Sequence, residues 1–190
     1  DKKDCNHLLD KSSWGDMVWH QEGDFYYYGV FGADMPDLNY NNPDVRQAAK
    51  DAAGHFLELG LDGFRMDAAV HIYGAHEFKQ QEDSEAANIT WWNEFAGYCE
   101  SINPDVYLVG EVWQDDKVLE NYVQPFDTKF DFAIQQKILN CVQKGMAVPG
   151  FGDSLSVAIE NIQNKYDGED VNYLNGVFGA NHDQDRIASS

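Results

Sequence analysis

Three short apolar runs, each preceded by a helical stretch and each ending in an acid, constrain this chain more than any other feature. They are Gly63-Phe64-Arg65-Met66-Asp67, Val106-Tyr107-Leu108-Val109-Gly110-Glu111, and Val177-Phe178-Gly179-Ala180-Asn181-His182-Asp183. Alternation along a strand puts Phe64 and Met66 on one face and Arg65 and Asp67 on the other. An arginine and an aspartate on a buried strand are expensive unless they pair or do chemistry. The first run alone therefore admits either a structural ion pair or a catalytic carboxylate. The set of three favours the second reading, because parallel strands separated by helices bring their C-terminal ends to one rim, where a β/α barrel keeps its active site.

Residues 1–40 show no clear periodicity and are rich in Asp, Gly, Trp and Tyr, with the run Phe25-Tyr26-Tyr27-Tyr28-Gly29-Val30-Phe31. They read as a long irregular segment, of the kind that is usually functional in a compact domain. The aromatic faces suit sugar rings, although for most of these residues a structural tyrosine cluster is the better reading. Asn42-Pro43 opens a helix whose inward face is expected to include Val45, Ala48, Ala49, Ala52, Phe56 and Leu59, closed by Gly60. A strand follows at about 61–67, then a loop over 71–85, in which only His71, and not His76, receives a role. Trp91, Trp92, Phe95, Ala96 and Cys99 define the next helical face. Beyond the Glu111 strand the patterning predicts a helix over 115–123, a strand over 128–132, and helices over 133–144 and 155–166. Ile134, Ile138, Leu139 and Val142 point inward on the first of these two helices, and Leu155, Ile159 and Ile162 on the second. A last strand starts at Gly176. The order is α/β, a half-barrel of parallel strands after an irregular segment.

Composition narrows the partners. A content of 43% hydrophobic and 14% aromatic residues describes a globular chain. A formal charge of −20 argues against nucleic acid. No run approaches the roughly 18 apolar residues of a membrane span. Cys5, Cys99 and Cys141 are too far apart for a zinc site and odd in number, and read as free thiols. Asn88-Ile89-Thr90 matches a glycosylation sequon, a pattern too common to assign. Compartment and oligomeric state stay open. With 190 residues the chain falls short of the roughly 250 of a complete barrel, so it reads as an internal portion of a longer enzyme.

The motifs Gly-Phe-Arg-x-Asp-Ala-x-x-His at 63–71, Gly-Glu-Val-Trp at 110–113 and Phe-x-x-Asn-His-Asp at 178–183, with Met35-Pro36-Asp37-Leu38-Asn39 ahead of them, resemble the α-amylase family of glycoside hydrolases, in the family's order. The resemblance implies strands four to seven of a (β/α)8 barrel over 41–190, and the end of the inserted B domain over 1–40. It implies hydrolysis of α-glucosidic bonds, mainly α-1,4, in starch-derived glucans or maltooligosaccharides by a retaining double displacement, with transglycosylation open. By the same resemblance Asp67 is the nucleophile, Glu111 the general acid/base and Asp183 the third carboxylate. Arg65 orients Asp67, His182 holds sugar hydroxyls and Trp113 stacks beyond the cleavage point. Apolar neighbours, Val109, Val112 and Trp113, are expected to desolvate Glu111. Calcium is implied at the Asp37 side chain and the His71 backbone carbonyl, two oxygens of the six or more it needs. Val70 stands where the family often has Lys, which removes a sugar contact on the leaving-group side. The alternative is an inactive amylase-like barrel serving a transporter, against which stand all three acids.

Overall fold

A computed structural model of the chain describes residues 8–74, 81–114, 116–144, 155–168 and 173–189. Cys5, His76 and Asp115 lie outside these residues.

Residues 8–40 are more regular than their sequence suggests. Trp19–Glu22 (β1) and Phe25–Tyr28 (β2) pair antiparallel, with Trp19 opposite Tyr28 and Glu22 opposite Phe25. The two-residue connection Gly23-Asp24 is a hairpin signal overlooked in the irregular reading. The tyrosines are tied locally: the Tyr27 hydroxyl donates to the Ala33 carbonyl at 2.5 Å, and that of Tyr26 to Gln21 Oε1 at 3.2 Å.

Pro43–Glu58 (α1) starts as the sequence predicts. Asn42 is extended and its side chain accepts the Asp44 N–H, Pro43 takes the first turn, and Gly60 follows the helix at φ +96°. Its inward face is not the predicted one. Ala53, Gly54 and Leu57 are buried, whereas Phe56 and Leu59 are exposed. The reason is the close approach of the next helix: a Cβ on Gly54 would lie 2.7 Å from the Tyr98 hydroxyl, so α1 meets its neighbour through small residues. That neighbour is Gln81–Ile102 (α2), which begins inside the stretch read as loop. Its Trp91, Trp92, Phe95, Ala96 and Cys99 are all buried, as the helical spacing requires.

Four parallel strands carry the site. Gly63–Met66 (β3), Tyr107–Gly110 (β4), Thr128–Phe130 (β5) and Leu174–Gly176 (β6) lie side by side in chain order, with Met66 opposite Gly110 and Phe130 opposite Gly176. Asp116–Asn121 (α3), Phe132–Lys144 (α4) and Leu155–Asp167 (α5) connect them. Val142, expected inward on α4, is exposed, whereas Ile134 is fully buried. The strand expected over Val177–Ala180 is a loop instead. The ladder ends at Gly176, whose carbonyl accepts the Asp131 N–H, and the Val177 N–H folds back to the Asn175 carbonyl. Among the described residues β3 and β6 each have one neighbour in this sheet, and Leu61, just before β3, and Leu174 and Val177, on and just after β6, are exposed.

Lys129 of β5 is buried. Its ammonium donates to the Leu119 carbonyl at 2.5 Å, near the end of α3, and lies 4.2 Å from the Tyr166 ring centroid and 4.7 Å from that of Tyr173. Burial pushes its pKa down to about 7, with Asp131 opposing the shift. A lysine amine with a lowered folded pKa binds fewer protons folded than unfolded between about 7 and its ordinary value. Stability from this residue therefore rises with pH across that window and is flat below it. With the sheet edges covered, side-chain NMR should find one lysine titrating near 7 that disappears in Lys129→Met. A full set titrating as ordinary exposed lysines would contradict this burial.

Candidate active site

Asp67 is the first residue past β3, and Glu111 the first past β4. Strand pairing sets the two side by side: the Glu111 N–H donates to the Met66 carbonyl, and the Ala69 N–H to the Glu111 carbonyl. Between them Ala68 adopts a left-handed conformation, φ +45° and ψ +44°, and its N–H donates to Glu111 Oε2 at 3.2 Å. A non-glycine residue held there costs about 1–3 kcal/mol and needs surroundings that enforce it. Helix α2 supplies them. The Trp92 indole donates to the Ala69 carbonyl at 2.8 Å, and the Asn88 amide to the Val70 carbonyl at 2.9 Å, while Asn88 Oδ1 accepts the Tyr73 N–H. Asn88 is buried by this duty, which leaves its amide no room for a glycan.

One guanidinium joins the two acids. Arg65 Nη1 lies 2.6 Å from Asp67 Oδ1, and Nη2 lies 2.7 Å from Glu111 Oε1. The second contact sets the guanidinium against the buried Glu111 carboxylate at ion-pair distance. Burial works against the charge on Arg65, but Glu111 and Asp67 outweigh it and hold its pKa above the ordinary arginine value. Asp67 is open to solvent and Glu111 is buried. Glu111 is not set among apolar walls as expected. Val112 is fully buried beside it, but its carboxylate meets Arg65 and the Ala68 N–H, and Trp113 stands half exposed.

A cleft of about 490 Å³ gathers Asp67, Glu111, His182 and Asp183, lined also by Val70, His71 and Trp113. His182 Nε2 lies 3.1 Å from Asp183 Oδ2, and the Asp183 N–H donates to Asn181 Oδ1. This loop is anchored by Gln135 on α4, a residue that the sequence reading did not single out. Its buried side chain donates to the Gly179 carbonyl at 3.0 Å and accepts from Gln184. Asp131 serves the same end, accepting the Ile134 N–H at the start of α4 and the Asn175 amide from β6. Trp113 stacks on Phe132, ring centroids 4.4 Å apart and 5° from parallel, which leaves its other face to the cleft.

Asp37 sits elsewhere, in a second cleft of about 390 Å³ with Trp19, Tyr28 and Asn39. Its Oδ2 accepts the Val30 N–H at 2.7 Å. Burial raises its pKa against that bond and His71, and burial lowers that of His71 against Asp37. Among the described residues no group of three or more His, Cys, Asp or Glu side chains could hold a metal ion. Asp37 and the His71 carbonyl would supply two of the six or more oxygens that calcium takes. No helix among the described residues is long and apolar enough to cross a membrane.

Residues 3–190 match the family model described as alpha amylase, catalytic domain. Alpha-amylase 3 of Dictyoglomus thermophilum is 38% identical over 172 residues, 90% of this chain and 31% of that protein. The 4-alpha-glucanotransferase of Thermotoga neapolitana is 33% identical over 184 residues, 96% of this chain and 36% of that protein. The crystal structure of alpha-amylase from H. orenii superposes with a TM-score of 0.77 at 34% identity, covering 95% of this chain and 35% of that one. The chain thus spans about a third of the length of the curated relatives it matches, and its parallel sheet is a portion of their barrel.

Proposed function

Because the chain belongs to the alpha-amylase catalytic-domain family, we propose that it carries the acid half of a retaining α-glucan active site. The observation that carries this reading is the single Arg65 guanidinium touching both Asp67 and Glu111 in one cleft with Asp183. A bridge of this kind keeps two carboxylates within a few ångströms of each other, as a retaining mechanism needs.

In the first step the Asp67 carboxylate attacks the anomeric carbon. Glu111 gives its proton to the departing glycosidic oxygen, leaving a glycosyl ester on Asp67 and a free sugar hydroxyl. In the second, the Glu111 carboxylate takes a proton from water or from a sugar hydroxyl, whose oxygen attacks the same carbon and releases Asp67. The Arg65 contact suits the carboxylate form of Glu111 needed for the second step; the acid form needs that contact loosened as the sugar enters. Asp183 and His182 grip hydroxyls of the cleaved ring, and Trp113 offers an aromatic face beyond it. Val70 brings no charge to the cleft wall, which fits short or branched substrates as well as long starch. The relatives named for an amylase and a glucanotransferase support α-1,4 linkages, with water or sugar as acceptor.

The test is to graft residues 3–190 into the matching segment of the Dictyoglomus alpha-amylase 3 and follow maltooligosaccharide cleavage by NMR. The expected first product keeps the α configuration. A β-configured first product, or no turnover from a folded graft, overturns the reading.

A further inference from the structure

We propose that Trp92 and Asn88 of α2, buried residues outside the lining of the cleft, position the Glu111 carboxyl through the backbone N–H of Ala68. This rests on the functional reading above, in which Glu111 is the proton donor. The path is short. The Trp92 indole N–H donates to the Ala69 carbonyl at 2.8 Å, and the Ala68 N–H donates to Glu111 Oε2 at 3.2 Å. Between these two bonds lies the left-handed residue, Ala68 at φ +45° and ψ +44°. Its carbonyl accepts the His71 N–H at 2.8 Å, and the Ala69 N–H donates to the Glu111 carbonyl at 3.0 Å. Main chain and carboxyl of Glu111 are thus both tied to the two residues beside the Trp92 bond.

An alanine leaves the left-handed region unless its neighbours hold it there, because its Cβ crowds the backbone carbonyl. That relaxation would rotate the Asp67–Ala68 peptide and take the N–H off Glu111. On one side the chain is fixed by β3, which pairs with β4 as far as Met66. On the other it is fixed from α2. Trp92 holds the Ala69 carbonyl, and Asn88 donates to the Val70 carbonyl at 2.9 Å and accepts the Tyr73 N–H at 2.8 Å. Four residues apart, the two side chains share one helix face. Packing alone does not require an indole here. The Trp92 ring centroid lies 5.4 Å from that of Phe126, 5.8 Å from Phe95 and 6.1 Å from Trp91, apolar partners that a phenylalanine would also meet. The indole N–H is what phenylalanine lacks. Glu111 needs the hold most when its Arg65 contact loosens, because the Ala68 N–H is then the bond that still aims the carboxyl. Asp67 keeps its own partner, Arg65 Nη1 at 2.6 Å. Loss of the α2 hold therefore falls on proton donation rather than on attack, and a misplacement of ~1 Å can cost about 10²-fold in rate.

The experiment uses a protein that carries this segment in a complete barrel and compares Trp92→Phe with its parent on two substrates. Cleavage of maltohexaose needs a proton on the leaving oxygen. An α-glucosyl fluoride needs none, and its kcat/KM reports only the steps up to the glycosyl ester. The expected result is a loss of about 30-fold in kcat/KM for maltohexaose, short of the roughly 10²–10⁴-fold of a lost general acid, and of less than about threefold for the fluoride. Adding Ala68→Gly to Trp92→Phe should recover most of the maltohexaose loss, because glycine takes the left-handed conformation without being held. Equal losses on the two substrates make Trp92 a structural residue only and overturn the proposal. So does no loss on either, or a loss that Ala68→Gly leaves unchanged. Should Trp92→Phe fail to fold, Asn88→Ser takes its place with the same expectation. The functional reading is checked apart by Glu111→Gln, which should lose maltohexaose turnover and keep kcat/KM for the fluoride. Turnover of maltohexaose persisting in that variant would be a failure of the reading, whatever Trp92→Phe does.

Discussion

Asp67→Asn, in a protein that carries this segment in a complete barrel, is expected to lower turnover of a maltooligosaccharide by about 10⁴-fold or more, the scale on which removal of a covalent nucleophile is felt. The amide has nearly the shape of the carboxylate but cannot form the glycosyl ester. Arg65 keeps Glu111 as a partner after the change, and the Asp67 side chain is solvent-exposed, so no buried charge is left stranded. The thermal midpoint is therefore expected to move little, and sugar binding to persist. Steady-state kinetics beside a melting curve reads both. Activity above about one percent of the parent with an unchanged melt would remove Asp67 from the nucleophile's role.

The second large effect concerns the 190 residues alone. Expressed by themselves they are expected to associate, to melt without a sharp transition and to show no turnover of a chromogenic maltoside. The cause is the sheet. Among the described residues β3 and β6 each have one neighbour in it, so the outer side of each is an edge without a strand beside it. Leu61, just before β3, and Leu174, on β6, expose apolar surface there. At ~25 cal/mol per Å², even a few hundred Å² of such surface left uncovered costs several kcal/mol, comparable to the stability of a domain. Supplying the flanking strands by the graft should restore a cooperative melt and activity together. Clear Asp67-dependent hydrolysis by the soluble monomer would show that the four strands suffice.

Much of this architecture is legible in the residues because its signals are local. Asn42-Pro43 marks a helix start, Trp91 to Cys99 marks a buried helical face, and Asp67 and Glu111 each follow an apolar run directly. What escaped has physical causes of other kinds. The first turns of α2, over Gln81–Ala87, are polar and show no apolar stripe, so only their helix-forming composition speaks for them. Val177-Phe178 continues an apolar run, yet the chain leaves the sheet after Gly176, where the Val177 N–H turns back to the Asn175 carbonyl. No spacing in the chain marks Lys129 as buried, because Tyr166 of α5 and Tyr173, just before β6, close over it from distant elements. The site shows the same division. That Arg65 shares a face with Asp67 follows from strand alternation, but its grip on Glu111 depends on the pairing of β3 with β4. Gln135 and Asp131 hold the Asp183 loop through contacts between elements, which no spacing in the chain announces.

The division of labour between Asp67 and Glu111 is open to a direct measurement. A Glu111→Gln variant in a complete barrel is treated with an α-glucosyl fluoride, whose leaving group needs no proton. Attack by Asp67 then proceeds, while the base that would activate water for release is gone, so the glycosyl ester accumulates. Mass spectrometry of the digested protein should find one added hexose, on the peptide that contains Asp67. A hexose on another carboxylate, or rapid release of a β-configured sugar with no adduct on Asp67, would contradict the account.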